Sequence, residues 1–151
     1  EITFYGLRPM NQSAREPKTL CAPLIGGNLT VLQSSLATPW QMRTEDKILF
    51  IEEIGERGYR VDRVLIQMEQ AGLFKAVKAI VFGQFVGGEE LDGRPLWPQI
   101  KRDFAQRINL PVFRGLASGH GKVQMPLPLG VPATLCMGLL KAELTCPSGG
   151  S

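Results

Sequence analysis

Histidine occurs once in this chain of 151 residues, at position 120, and the three cysteines form no Cys-x-x-Cys pair. That scarcity excludes the common zinc and thiol-redox motifs, which need several nitrogen or sulfur ligands at short spacing, so neither a metal nor a cofactor is expected. The odd set Cys21, Cys136 and Cys146 fits free thiols in a reducing compartment, and a cytoplasmic location is expected. No apolar run approaches the roughly 20 residues of a membrane-spanning helix, and the first residues, Glu-Ile-Thr-Phe-Tyr, lack the basic region and apolar core of a signal peptide. No membrane role is expected. Charge of one sign is also scarce: 17 Lys and Arg against 14 Asp and Glu leave +3. The densest basic group, Arg57, Arg60 and Arg63, is interleaved with Glu52, Glu53, Glu56 and Asp62. A nucleic-acid partner would need a basic stripe, so none is expected. There is no internal repeat, and no serine sits in a Gly-x-Ser-x-Gly elbow.

What is present suffices for one domain with a substantial core, at 44% hydrophobic and 21% charged. Residues 1–19, with Gly6, Pro9, Asn11, Ser13 and Pro17 and no sustained period, read as a linker or arm. The domain is expected over 20–146, followed by a disordered tail at 147–151. Gly26-Gly27-Asn28 breaks an apolar segment, and Asn28 is placed to cap a helix carrying Leu29, Leu32 and Leu36. Ile48–Ile51 and Ala79–Phe82 read as buried strands, with a third at Leu110–Phe113. Val61, Val64, Leu65 and Met68 form a helical stripe stopped near Gly72, and Trp97-Pro98 opens another helix. Residues 133–145 suggest a hairpin turning near Gly138. The predicted fold class is α/β, a mainly parallel sheet with flanking helices and a C-terminal β-hairpin.

Chemistry is expected where the Ile48 strand ends. An unbroken apolar run delivers Glu52, then Glu53, Gly55 and Glu56, to what would be the carboxyl edge of a sheet, where ligands bind in such folds. His120 lies in the small-residue loop Gly115-Leu-Ala-Ser-Gly-His-Gly121 after the third strand, so it can reach the same edge. A carboxylate that orients a histidine, itself the base for a hydroxyl, is the logic of a catalytic triad. The duller reading makes Glu52 a helix cap and His120 a loop residue bonded to a carbonyl. Side chains alternate along a strand, so only one of Glu52 and Glu53 can face a given cleft, and Glu56 is placed to pair with Arg60 or Arg63. No residue offers itself as the nucleophile: Ser118 is only two positions from His120, and Cys21 has no activating partner.

The segments Leu24-Ile-Gly-Gly-Asn-Leu29, Ile48-Leu-Phe-Ile-Glu-Glu-Ile-Gly-Glu56 with Tyr59-Arg-Val-Asp-Arg63, Ala79-Ile-Val-Phe-Gly83, and Gly119-His-Gly121 with Pro126-Leu-Pro-Leu-Gly130 resemble the C-terminal domain of the LD-carboxypeptidases, the muramoyltetrapeptide carboxypeptidases among the serine peptidases. The resemblance covers about residues 20–145 in order. It implies a two-domain enzyme with a Ser-Glu-His triad that removes the terminal D-alanine of a murein tetrapeptide in cell-wall recycling. By motif, the glutamate falls on Glu52 and the histidine on His120. The implied partners are the murein tetrapeptide, an N-terminal nucleophile domain from the same gene product or a companion chain, and a second copy in a homodimer. The isolated chain is then expected to be inactive. Two alternatives stand beside this reading: a same-family hydrolase of aminoacyl-nucleotide antibiotics, and a non-catalytic peptide-binding module. Gly55-Glu-Arg-Gly-Tyr-Arg-Val-Asp-Arg63 looks more like the carboxypeptidase branch.

Overall fold

Seven strands curl into a closed barrel in the order β1-β5-β4-β3-β2-β6-β7. The computed structural model describes residues 1–148, and within them the elements run β1 (Ile2–Pro9), β2 (Lys18–Asn28), α1 (Leu29–Ser34), β3 (Ile48–Ile54), α2 (Gly58–Gln70), β4 (Ala79–Val86), α3 (Trp97–Arg107), β5 (Val112–Arg114), β6 (Pro132–Met137) and β7 (Ala142–Cys146). A single 3-10 turn, Ser13–Arg15, lies between β1 and β2. Among these residues no helix is long and apolar enough to cross a membrane.

The α/β class with a mainly parallel sheet is overturned. Strands β2, β3, β4 and β5 are parallel to one another, but β1 pairs antiparallel with β5 and β7, and β6 antiparallel with β2 and β7. The long strand β2 joins the two halves. Lys18–Pro23 face β6 in antiparallel register, and Leu24–Asn28 face β3 in parallel register. Proline cannot donate to a ladder, and Pro23 sits where the partner changes.

Alternation along the strands explains why the local pattern fits both a parallel sheet and this barrel. Ile48 and Phe50 point into the barrel with Phe4, Leu7, Leu24, Val81, Phe113, Leu135 and Leu144. Leu49 and Ile51 point outward, with Ile80, Phe82 and Val112, against Val61, Leu65 and Met68 of α2 and Phe104 of α3. A continuous apolar run says that both faces of a strand are covered, but not by what. Helices cover the outer face only; the far wall of the barrel covers the inner one.

Residues 1–19 are likewise not a linker. Ile2–Pro9 is the strand that closes the barrel between β7 and β5, with Phe4 and Leu7 buried and a register shift between them. Gly6 and Pro9 masked it, because both read as breakers. Strand β4 continues through Gly83-Gln84 to Val86, and α1 stops at Ser34 before Leu36. The expected tail falls partly on residues 149–151, which lie outside those described.

Candidate active site

Strand β3 carries two adjacent carboxylates to its end, and the pleat sends them to opposite sides. Both are buried, Glu52 at 5% exposure and Glu53 at 3%. Glu53 turns to α1: its Oε1 accepts from Asn28 Nδ2 at 2.8 Å and Ile54 N at 2.8 Å, and its Oε2 from Thr30 N at 2.9 Å and Thr30 Oγ1 at 2.8 Å. Four donors compensate its burial, and the charge sits at the positive end of a helix. Asn28 also caps α1, its Oδ1 accepting from Val31 N at 3.1 Å. Glu56 pairs with Arg60 at 2.6 Å on α2, and Arg57 pairs with Glu90.

Glu52 turns the other way and meets His120, 2.6 Å from carboxylate Oε2 to imidazole Nδ1. Ionised carboxylate oxygen can only accept, so Nδ1 carries the hydrogen and the neutral ring keeps its lone pair on Nε2. The His120 side chain is 45% exposed, and among the described residues its one hydrogen bond is to Glu52. A buried carboxylate thus holds a half-exposed imidazole whose second ring nitrogen makes no hydrogen bond among the described residues.

His120 belongs to the loop after β5, and β4 fixes that loop. Gln84 donates its backbone N–H to Ser118 O at 2.9 Å and its Nε2 to Val123 O at 2.6 Å, while its Oε1 accepts from Gly121 N at 2.8 Å. One residue therefore ties down both flanks of the histidine. Gly119 adopts φ +134°, and a Cβ there would lie 3.1 Å from Glu52 Cβ and 3.2 Å from Gln84 Cβ, so the loop can approach only as glycine. A Cβ on Gly83 would strike the Phe50 ring at 2.4 Å and Ser118 O at 2.5 Å. Gln84 lies beyond Phe82, where the apolar run that predicts this strand stops, although the strand itself continues to Val86. Its signal was a lone amide in the apolar run Ala79–Val86, on the strand beside β3.

Of the expected site residues, Glu52 and His120 come together from positions 68 apart, whereas Glu53 and Glu56 serve α1 and α2. Ser118 contributes backbone bonds to the loop, and no serine among the described residues hydrogen-bonds to His120. No cluster of three His, Cys, Asp or Glu side chains among the described residues could hold a metal ion.

Comparison with known proteins shows what the chain is similar to. Residues 22–135 match the family described as LD-carboxypeptidase C-terminal domain. A murein tetrapeptide carboxypeptidase of Pseudomonas aeruginosa is 32% identical over 113 residues, 74% of this chain and 37% of that protein. A Rickettsia conorii protein named as a carboxypeptidase is 40% identical over 127 residues, 84% of this chain and 39% of that protein. The crystal structure of a muramoyltetrapeptide carboxypeptidase from Oxalobacter formigenes superposes with a TM-score of 0.80 at 32% identity, over 95% of this chain and 48% of that one. This chain spans less than half the length of each of these relatives. With three quarters of its length inside the matched region and the barrel shared with a solved relative, the chain belongs to the family of LD-carboxypeptidase C-terminal domains.

Proposed function

We propose that this chain supplies the glutamate and histidine of a Ser-Glu-His triad in a serine-type LD-carboxypeptidase acting on murein tetrapeptides. The observation that carries this reading is the Glu52–His120 contact: a buried carboxylate 2.6 Å from the Nδ1 of a half-exposed imidazole. His120 Nε2 takes the proton of a serine hydroxyl as that oxygen attacks the L,D-peptide carbonyl. Glu52 keeps the ring in the required tautomer and stabilises the imidazolium. The imidazolium then returns its proton to the departing amine of D-alanine, and water activated by the same nitrogen clears the acyl-enzyme.

The serine is assigned to the nucleophile domain that the longer relatives have room for, as part of the same polypeptide or as a companion chain. The same reading places the enzyme in cytoplasmic cell-wall recycling, working as a homodimer. A chimera joining this chain to the remainder of the Pseudomonas relative tests it. The chimera should release D-alanine from a murein tetrapeptide, and His120→Ala within it should slow release by roughly 10³-fold or more. A folded, active chimera that is indifferent to His120→Ala refutes the assignment.

A further inference from the structure

Lys101 is the only buried cation among the described residues, at 6% exposure. It stands in the second turn of α3 with its ammonium 4.4 Å from the ring centroid of Phe85, 4.8 Å from Trp97 and 5.4 Å from Phe82. Aromatic faces attract a cation but give its N–H groups no strong acceptor. No ion pair among the described residues involves Lys101. Elsewhere on the chain Arg57, Arg60, Lys78 and Arg107 each hold a carboxylate.

Lys101 lines a cavity of about 150 Å³ with Arg102, Arg114, Trp97, Pro98 and Met10, and no acid is among these residues. Arg114 makes no ion pair among the described residues, and its register partner on β1 is another arginine, Arg8. Burial and the nearby Arg114 charge both push the Lys101 ammonium down to about 8, so it is still mostly charged at neutral pH. Like charges gathered round a cavity without a counter-charge create a site that favours an anion. One water occupies about 30 Å³ of liquid, so the volume admits a group of several heavy atoms.

We propose that this cavity binds an oxyanion, a carboxylate or phosphate group, held between Lys101 and Arg114 with Arg102 at its edge and the Trp97 indole as its apolar wall. None of the lining residues belongs to the Glu52, Gln84 and His120 cluster, so the site is separate from the proposed catalytic one.

Titrating the ¹⁵N-labelled chain with inorganic phosphate, and separately with acetate, at constant ionic strength tests the proposal. The Trp97 indole N–H, which donates to Gly87 O at 3.0 Å, is the reporter. The expected result is a saturable shift at Trp97, Lys101 and Arg114 with no shift at Gly119 or Gly121. Saturation by phosphate alone assigns a phosphate ligand, and saturation by acetate assigns a carboxylate. Lys101→Met and Arg114→Gln should each weaken binding about tenfold or more. Arg114 is exposed, so Arg114→Gln tests the site without changing the buried core. Shifts that never saturate with either anion overturn the proposal, as does unchanged affinity in Arg114→Gln.

Discussion

Replacing Gln84 with alanine removes both side-chain bonds that hold the His120 loop, the one accepted from Gly121 N at 2.8 Å and the one donated to Val123 O at 2.6 Å. The backbone bond to Ser118 O stays. Each lost bond is worth about 0.5–1.5 kcal/mol net, so the loop loses roughly 1–3 kcal/mol of local order, while Gln84 is only half-buried and leaves no core cavity. Since 1.4 kcal/mol is a factor of ten, the Gly121 amide should exchange with solvent about 5- to 140-fold faster. The population with His120 bonded to Glu52 should fall with it. Nitrogen-15 spectra of the imidazole report this directly, because the Nδ1–H tautomer that Glu52 enforces gives way to a tautomeric mixture. Gln84→Glu separates position from bulk: it keeps an acceptor for Gly121 N but turns a carboxylate oxygen toward Val123 O, so it should recover part of the protection. In the active chimera, Gln84→Ala should lower kcat about 10-fold or more with little change in KM. Unchanged Gly121 exchange and unchanged His120 tautomer in Gln84→Ala would show that the loop is ordered by something else and that Gln84 is not a positioning residue.

Glu53 and Glu52 should separate cleanly in denaturation. Glu53→Gln must turn an amide toward donors that a carboxylate accepted, and should cost about 2–3 kcal/mol by urea titration, whereas Glu52→Gln, with its single bond to His120, should stay within about 1 kcal/mol while abolishing the chimera's activity. Equal costs would mean that Glu53 is not the α1 anchor. Gly119→Ala forces a side chain into φ +134° against Glu52 and Gln84, and should lower the melting temperature and erase the His120–Glu52 signature together, at about 1–3 kcal/mol. A stable variant with that signature intact refutes the close-approach argument. Lys101 makes stability depend on pH. Unfolded, the amine holds its proton to its ordinary 10.5; folded, it releases it near 8. The unfolded chain therefore binds more protons between these values, and Lys101's contribution to stability rises with pH from about 8 to 10.5, with the full burial cost present below 8. That cost is about 3 kcal/mol, so Lys101→Met should be the more stable protein at pH 7 by up to that amount, less the lost attraction to the rings. Its advantage should shrink toward pH 10.5, and a pH-independent difference contradicts the charge-burial argument.

Elements that rest on local pattern are legible in the amino-acid order alone. The runs at Ile48 and Ala79, the stripe from Val61 to Met68, the proline at the start of α3 and the Asn28 cap each express a backbone preference or an amphipathic period, and each became the corresponding element. The meeting of Glu52 and His120 was legible because Glu52 lies near the end of β3 and His120 in the loop after β5, both strands of the parallel half, whose ends lie on one edge. The remaining features depend on contacts between distant parts of the chain. Burial on two faces looks the same in sequence whether helices or a facing strand do the covering, so barrel closure could not be read from Ile48–Ile51. Strand β1 is held by partners more than a hundred residues away, which no local window sees through its Gly6 and Pro9. The division of labour between Glu52 and Glu53 followed from which face of β3 met α1 and which met the histidine loop. Gln84 and Lys101 were invisible for the same reason: the meaning of a polar side chain on a buried element lies in what the rest of the chain places against it.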